Sequence, residues 1–479
     1  MRLKGQVAAP DVRGIVAHGR VLLGRAVRAA WQARLLSRDP DGLFSGVLGA
    51  RDVDELLASL DAPAAEPARA ARAPLAAPRL SQLLESIGAG AVAADIVAAA
   101  LAVELDATAR SLAGYLRGGT AGAALSVGTL TLALGDEGTA ELLLALGAGA
   151  PLRRHRMIDV SDKADLVAAA TVRVAPRLLR WLVDPSEVDD EVADFASLHV
   201  PEDTPALPPA ALATVEEAVE EVRAFVVHQR TARGRTDLVL RGPRGAGRAE
   251  IAREACRRLG LPLISAHVGA LFGQSSSSDA AGALLREALL LDAQVLLEGA
   301  ESLTGADEAS SRLRIALAAS SRPLILTSSG VDQPRLATGR NVVTREVRLA
   351  ATHEREEIWR TLLPDIAAGE IASLYRVGVG AILRCADGAR LRAGVRATAT
   401  SSGVSHADVA GAVRAEFETD LGTVATKVDV SQTWEDLVVP DETGRTIAEL
   451  VDQLRHRSTV LGRWGFQRKL GKGLGTTAL

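Results

Sequence analysis

The sequence predicts an α/β chain: a helical/winged-helix N-terminal domain, then a P-loop parallel-sheet module with a helical lid. Three observations predict it. An apolar strand, Asp237–Arg241, runs into the turn Gly242-Pro-Arg-Gly-Ala-Gly247, and a helix follows with Ile251, Ala255 and Leu259 on one face. Short apolar runs then alternate with helical stretches as far as Leu349, the pattern of parallel strands joined by crossover helices. Upstream, several helical stretches precede two short β-prone runs, the order of parts in a winged helix.

A chain of 479 residues exceeds one ordinary core, so two or three domains are expected. Hydrophobic residues make up 48% but aromatics only 3%, which favours helix-rich packing of small side chains. The net charge of -4 gives no global attraction to nucleic acid or acidic membranes. Two cysteines, Cys256 and Cys385, form no disulfide framework or metal spacing, and a reducing cytoplasm fits them. The longest apolar run, Ala89 to Val103, is broken by Asp95 and is too short to span a membrane. No compact apolar signal segment opens the chain, so no membrane partner or signal peptide is expected.

Residues 1–79 read as a basic helical segment followed by a linker. Eight arginines and lysines over 1–38 interleave with Val21, Leu22, Ala26, Ala29 and Ala30, the pattern of a solvated amphipathic face or a docking helix. Pro63 to Pro78 has four prolines and no apolar period. Residues 80–185 carry three helices, a fourth around Leu125 to Leu134, and a wing formed by Met157–Val160 and Thr171–Val174. Pro176 then opens a terminal helix. Arg153, Arg154, His155 and Arg156 are its candidate DNA contacts, although no lysine-rich or aromatic-interleaved surface supports them. Residues 186–209 are acidic and proline-containing and read as a second linker.

Residues 210–350 form the expected P-loop core. A helix Ala210–Arg230 leads into the strand Asp237–Arg241, and Gly260 ends the helix after the loop. Further strands are expected at Leu261–Val268, Ala293–Leu297, Arg322–Ser328 and Glu346–Leu349, with helical sequence from His353 to Phe417 making a lid over 351–428. Residues 429–479 hold Trp434, Asp436, Leu437 and Pro440, then a helix with Leu450, Val451 and Leu454.

Chemistry centres on the loop. A glycine turn before a helix aims backbone N–H groups and the positive helix end at one point, which suits a phosphate. Gly242, Pro243, Gly245, Ala246, Gly247, Arg248 and Ala249 are therefore the candidate nucleotide-binding residues. The pattern G-x-x-x-x-G-K-[ST] is met at Gly242 and Gly247, but Arg248 stands where Lys is usual and Ala249 where a hydroxyl is usual. Lysine is absent from Lys163 to Lys427, so no ammonium of this module reaches the phosphates. Glu298, at the end of an apolar strand, is the candidate acid for a Mg²⁺ shell, with Glu301 as a substitute at longer reach. Thr327 or Ser328, at the next strand end, could contact a γ-phosphate or water, and Arg335 and Arg340 are the candidates for an arginine finger.

These blocks together resemble a known family. PLRRHRMI, LVLRGPRGAGR, LLREALLLDAQVLLEGAESL, VATKVDVSQTWEDLVVPDE and RHRSTVLGRWGF, in that order, look like the AAA+ ATPase of bacterial extracellular contractile injection systems, the phage-tail-like particles. The resemblance spans about Leu80 to Leu479. It implies a winged-helix N-terminal region, a degenerate first AAA+ module and the lead-in to a second that continues past Leu479. It also implies ATP or ADP with Mg²⁺ as ligands, ATP hydrolysis coupled to remodelling of a protein client, and a hexameric ring of copies of the chain. By position, Gly242, Gly247 and Arg248 match the phosphate loop and Glu298 the strand-end acid. Two other readings stay open: a catalytically silent nucleotide-binding or scaffold module, and, with nucleic acid the least expected partner, a winged-helix DNA-binding regulator.

Overall fold

A computed structural model describes residues 9–36, 53–55, 57–58, 77–117, 124–161, 166–232, 235–330, 334, 336, 340–396, 403–418, 433–457 and 464. Arg335, most of the W-G-F stretch and the end at Leu479 lie outside them.

The first unit is mainly helical. The helix Ala91–Leu105 is buried nearly all round, which explains an apolar run without a polar face. Its Asp95 accepts from His18 Nε2 at 2.8 Å, so the acid inside the run has a partner. The amphipathic helix expected near the N-terminus is Ala9–Gln32, with Arg13 and Arg25 exposed on its solvated face and its apolar face buried. Ile15, Leu22, Leu23 and Val27 share one core with Ile96, Leu101 and Leu112, and Arg20 pairs with Asp106. The boundary at 79 therefore runs through one packed unit.

Three short strands follow: β1 (Leu125–Ser126), β2 (Ile158–Val160) and β3 (Thr171–Val174), in the order β1-β3-β2, all antiparallel. Between β1 and β2 the helix Val127–Ala145 kinks at Gly135, whose φ of 72° needs no Cβ. The expected wing is the β2–β3 hairpin. The helix Pro176–Val183 follows it with proline in its first turn.

The expected linker 186–209 is corrected by the structure. It contains the short helix Asp190–Ala193 and a strand, β4 (Ala196–His199), that pairs antiparallel with the edge of the main sheet. One of its acids, Asp189, is buried and accepts from Arg286 Nη2 at 2.8 Å.

The main sheet contains β5 (Thr236–Arg241), β6 (Leu263–His267), β7 (Gln294–Glu298), β8 (Leu324–Ser328) and β9 (Asn341–Glu346). The last replaces the strand expected at 346–349. Its order is β4-β6-β7-β8-β5-β9, with every pair after β4 parallel. Residues alternate between two cores. Leu238, Leu240, Leu296 and Ile325 face the helices Pro209–Ala232 and Arg248–Arg258, whereas Val239, Val295, Leu297, Leu324 and Leu326 face Ser277–Leu290 and Glu308–Ala318. Both faces are covered, so these strands read as continuous apolar runs. Because β5 and β6 lie apart in the sheet, the connection after β5 passes over it and leaves a crevice beyond the strand ends, where α/β sheets bind ligands. Among the described residues five α-helices follow β9: Thr352–Leu362, Ala368–Leu374, Val379–Arg396, His406–Glu418 and Asp441–Arg457, the last holding the expected Leu450, Val451 and Leu454.

Candidate phosphate-binding site

The loop after β5 is fixed by contacts that only glycine permits. Gly242 N donates to Ser328 O at 3.1 Å, and a Cβ on Gly242 would lie 2.2 Å from Val347 O. Gly245 and Gly247 have φ of 73° and 103°, left-handed values that favour glycine. Ala246 N donates to Pro243 O at 3.2 Å and closes the turn. The helix Arg248–Arg258 starts at Gly247 with no side chain capping it, so its first-turn N–H groups face the loop.

A second helix start meets the first. Ala381 N, in the first turn of Val379–Arg396, donates to Gly245 O at 3.0 Å. A Cβ on Gly378 would lie 2.5 Å from the same oxygen, and one on Gly245 would lie 2.6 Å from the Ala381 methyl. Sequence reasoning missed this clamp; its signal is Gly378 and Gly380 just before and inside a helix start. The positive ends of two helices thus converge on one loop.

Arg248 is half-buried, and its Nη1 is buried without a partner. Burial pulls its pKa below the usual guanidinium range, against the pull of Glu301, Glu250 and Glu298. Ala249 is buried against the helical core and offers only a methyl group. Pro243 is exposed at the outer side of the loop.

Glu298 ends β7 beside His267, its partner in register on β6. Its Oε1 accepts from Arg253 Nη2 at 3.1 Å, and Arg253 also faces Glu250 at 3.8 Å. His267, absent from the sequence reading, accepts from Gly269 N through Nδ1 at 3.1 Å, and its ring packs under Gly299. Glu301 accepts from Ser329 Oγ at 2.7 Å and Ser329 N at 3.2 Å. Burial raises the Glu301 pKa, but the Ser329 bonds and the Arg248 charge outweigh it and hold the group below the usual range. Thr327 is buried, its Oγ1 accepting from Gly299 N at 3.4 Å.

The arrangement gives a cradle for an anion. It does not give one for Mg²⁺, which takes near-octahedral oxygen ligands. Ala249 has no oxygen, Glu298 is paired with a guanidinium, and Glu301 is spent on Ser329. Among the described residues no group of three His, Cys, Asp or Glu could hold a metal ion.

Two expected roles are corrected. Arg340 is buried and donates to both oxygens of the equally buried Asp237, with further bonds to Ser320 O and Arg322 O, so it cannot reach a neighbouring site as a finger. The basic turn is likewise not free for DNA. Arg154 donates to Ala319 O at 2.9 Å, Arg156 to Asp279 O at 2.5 Å, and His155 is buried. All three face or join the sheet module.

Comparison with known proteins bears on the N-terminal unit. Residues 28–196 match the family model "Winged helix domain, variant". Among solved structures, the FIGL-1 AAA domain in complex with ADP is similar at 16% identity and a TM-score of 0.35, covering 56% of this chain and 98% of that one. The FIGL-1 AAA domain solved separately is similar at 16% identity and a TM-score of 0.34, covering 54% and 94%. Likenesses at that level leave the fold assignment to the strand order and the loop. No curated protein matches the chain. No described helix is long and apolar enough to cross a membrane.

Proposed function

We propose that this chain is a nucleotide-binding AAA+-type module that holds ADP or ATP without efficient turnover, and that the bound nucleotide serves structure and assembly. The observation that carries the reading is the loop Gly242–Arg248, where two helix N-termini converge and a buried arginine nitrogen lacks a partner. Hydrolysis needs a positioned water and neutralised charge around the γ-phosphate. Here the strand-end acid is tied to Arg253 and Glu301 to Ser329. The winged-helix unit is read as the part that meets a protein partner, because its basic turn is used internally. The order of sequence blocks supports a setting in a contractile injection system, with this module as the structural member of a pair whose second member drives remodelling.

Calorimetric titration of the purified chain with ADP and ATP tests the binding, and a phosphate-release assay tests the silence. Binding with turnover at background is the expected pair of results. Turnover that disappears on Arg248→Ala would overturn the silent role, and no binding at all would overturn the nucleotide reading. Light scattering with and without ADP checks the ring: a nucleotide-dependent rise in mass supports assembly of copies, and an unchanged monomer counts against it.

A further inference from the structure

The misfit with Mg²⁺ has a positive counterpart. The carboxylate that would face the metal already has a cation beside it, and that cation belongs to the protein. Arg253 lies on the helix that starts at the phosphate loop, five positions after Arg248, and so near the opposite side of the helix, about 500° further round at 100° per residue. From there its Nη2 reaches Glu298 at 3.1 Å. Its Nη1 is 3.8 Å from Glu250, which also accepts from Arg384 of the lid at 2.9 Å. The Arg253 Nε is buried without a partner. Glu298 and Arg253 are each about a third exposed, at 31% and 29%, so the pair borders the crevice rather than the core.

From this geometry we infer that Arg253 replaces the divalent cation: the site binds a nucleoside diphosphate or triphosphate as the metal-free anion. The inference rests on the nucleotide reading above. Electrostatics explains the arrangement. An uncompensated carboxylate at the end of β7 would repel a phosphate in the loop, and in most P-loop sites the metal removes that repulsion. A guanidinium bonded to the carboxylate removes it permanently. Ala249 then needs no hydroxyl, because there is no metal for it to hold. The missing hydroxyl at Ala249 and the neutralised acid at Glu298 then have one cause.

The test titrates the full chain with ADP and ATP in excess EDTA and again in excess Mg²⁺. Because excess Mg²⁺ complexes the free nucleotide and depletes the metal-free anion, apparent affinity in Mg²⁺ is expected to be no tighter than in EDTA. Arg253→Gln should weaken binding in EDTA by about tenfold or more and regain part of it in Mg²⁺. Glu298→Gln removes the charge that Arg253 offsets, so adding it to Arg253→Gln should restore most of the affinity in EDTA. Thermal melts without nucleotide show that each variant is folded. Binding by the parent chain that tightens tenfold or more with Mg²⁺ would overturn the inference while leaving the nucleotide reading intact. Failure of the double variant to recover would overturn it as well. No binding in either buffer would remove both.

Discussion

Glu287→Gln should loosen the junction between the winged-helix unit and the sheet module by about 3 kcal/mol, toward the lower end of what breaking a buried ion pair costs. Glu287 is fully buried on the helix Ser277–Leu290, and its Oε1 accepts from Arg177 Nε at 2.8 Å. Arg177 is 3% exposed, so its charge has no water to turn to. Glu287 Oε2 also accepts from Asp189 N at 3.3 Å, and Arg286 lies 3.9 Å from Oε1. The amide keeps the shape and one acceptor but leaves the buried Arg177 without the carboxylate it is paired with, while Arg286 keeps Asp189 and Glu191. Trp181 reports the change, since its Nε1 donates to Leu290 O at 2.6 Å across the same junction. With an m-value of about 1–3 kcal/mol per molar urea, the unfolding midpoint seen by tryptophan fluorescence should fall by about 1 M or more. Replacing both partners with apolar residues, Arg177→Met with Glu287→Leu, should return the midpoint to near the parent value, because a buried pair gains little over good packing. A Glu287→Gln midpoint equal to the parent's would refute the claim that this junction is held by a buried charge pair.

Three further outcomes follow from particular contacts. Gly378→Ala places a methyl 2.5 Å from Gly245 O, so it should push the lid helix off the loop and weaken ADP binding by about tenfold or more in the same titration; unchanged affinity would show that the clamp does not shape the site. His155 has a pKa lowered to about 4, by burial first and then by Arg154 and Arg322. A histidine kept neutral by the fold leaves stability intact above about pH 6.5 and erodes it as pH falls toward 4, by about 3 kcal/mol in all. His155→Gln should flatten that part of a melting-temperature profile, and an unaltered profile would refute the assignment. The Cys256 and Cys385 thiols are pushed up to about 12 and about 11, in both cases chiefly by burial, so a thiol reagent at pH 8 should label neither until denaturant is added.

The strand–glycine loop–helix was legible in the sequence because its demands are local: a strand, glycines where φ is positive or a backbone comes close, and a helix. The wing was legible for the same reason. What escaped was set by partners far away in the chain. Nothing near Arg253 shows that it reaches Glu298, 45 residues on. Nor does anything near Arg340 reveal Asp237, 103 residues away, so an arginine in a loop passed for a finger when it is a buried strut. The acidic run 186–209 passed for a linker because proline and charge are the signs of one; its acids instead neutralise Arg180 and Arg286. The N-terminal arginines marked the solvated face of their helix, but nothing near them showed which core its other face packs into.

That buried junction also constrains how the winged-helix unit can act. A recruiting domain on a flexible tether searches for its partner independently of the domain it serves. Here Leu289 and Leu290 of the sheet module pack into the winged-helix core, Arg154 and Arg156 bond to its backbone, and the segment between the two units adds a strand to the sheet. The helix Ser277–Leu290, which carries Leu289, Leu290 and the Asp279 carbonyl, leads directly into β7, whose last residue is Glu298. A partner held by the winged-helix unit is therefore held at a fixed orientation to the phosphate loop, with one helix and one strand between them. The paired acid at the end of that strand has the same consequence. On the proposed reading, a site whose counter-charge is built in has one electrostatic state, whereas a metal-dependent site has two, so a bound nucleotide would set geometry without cycling it.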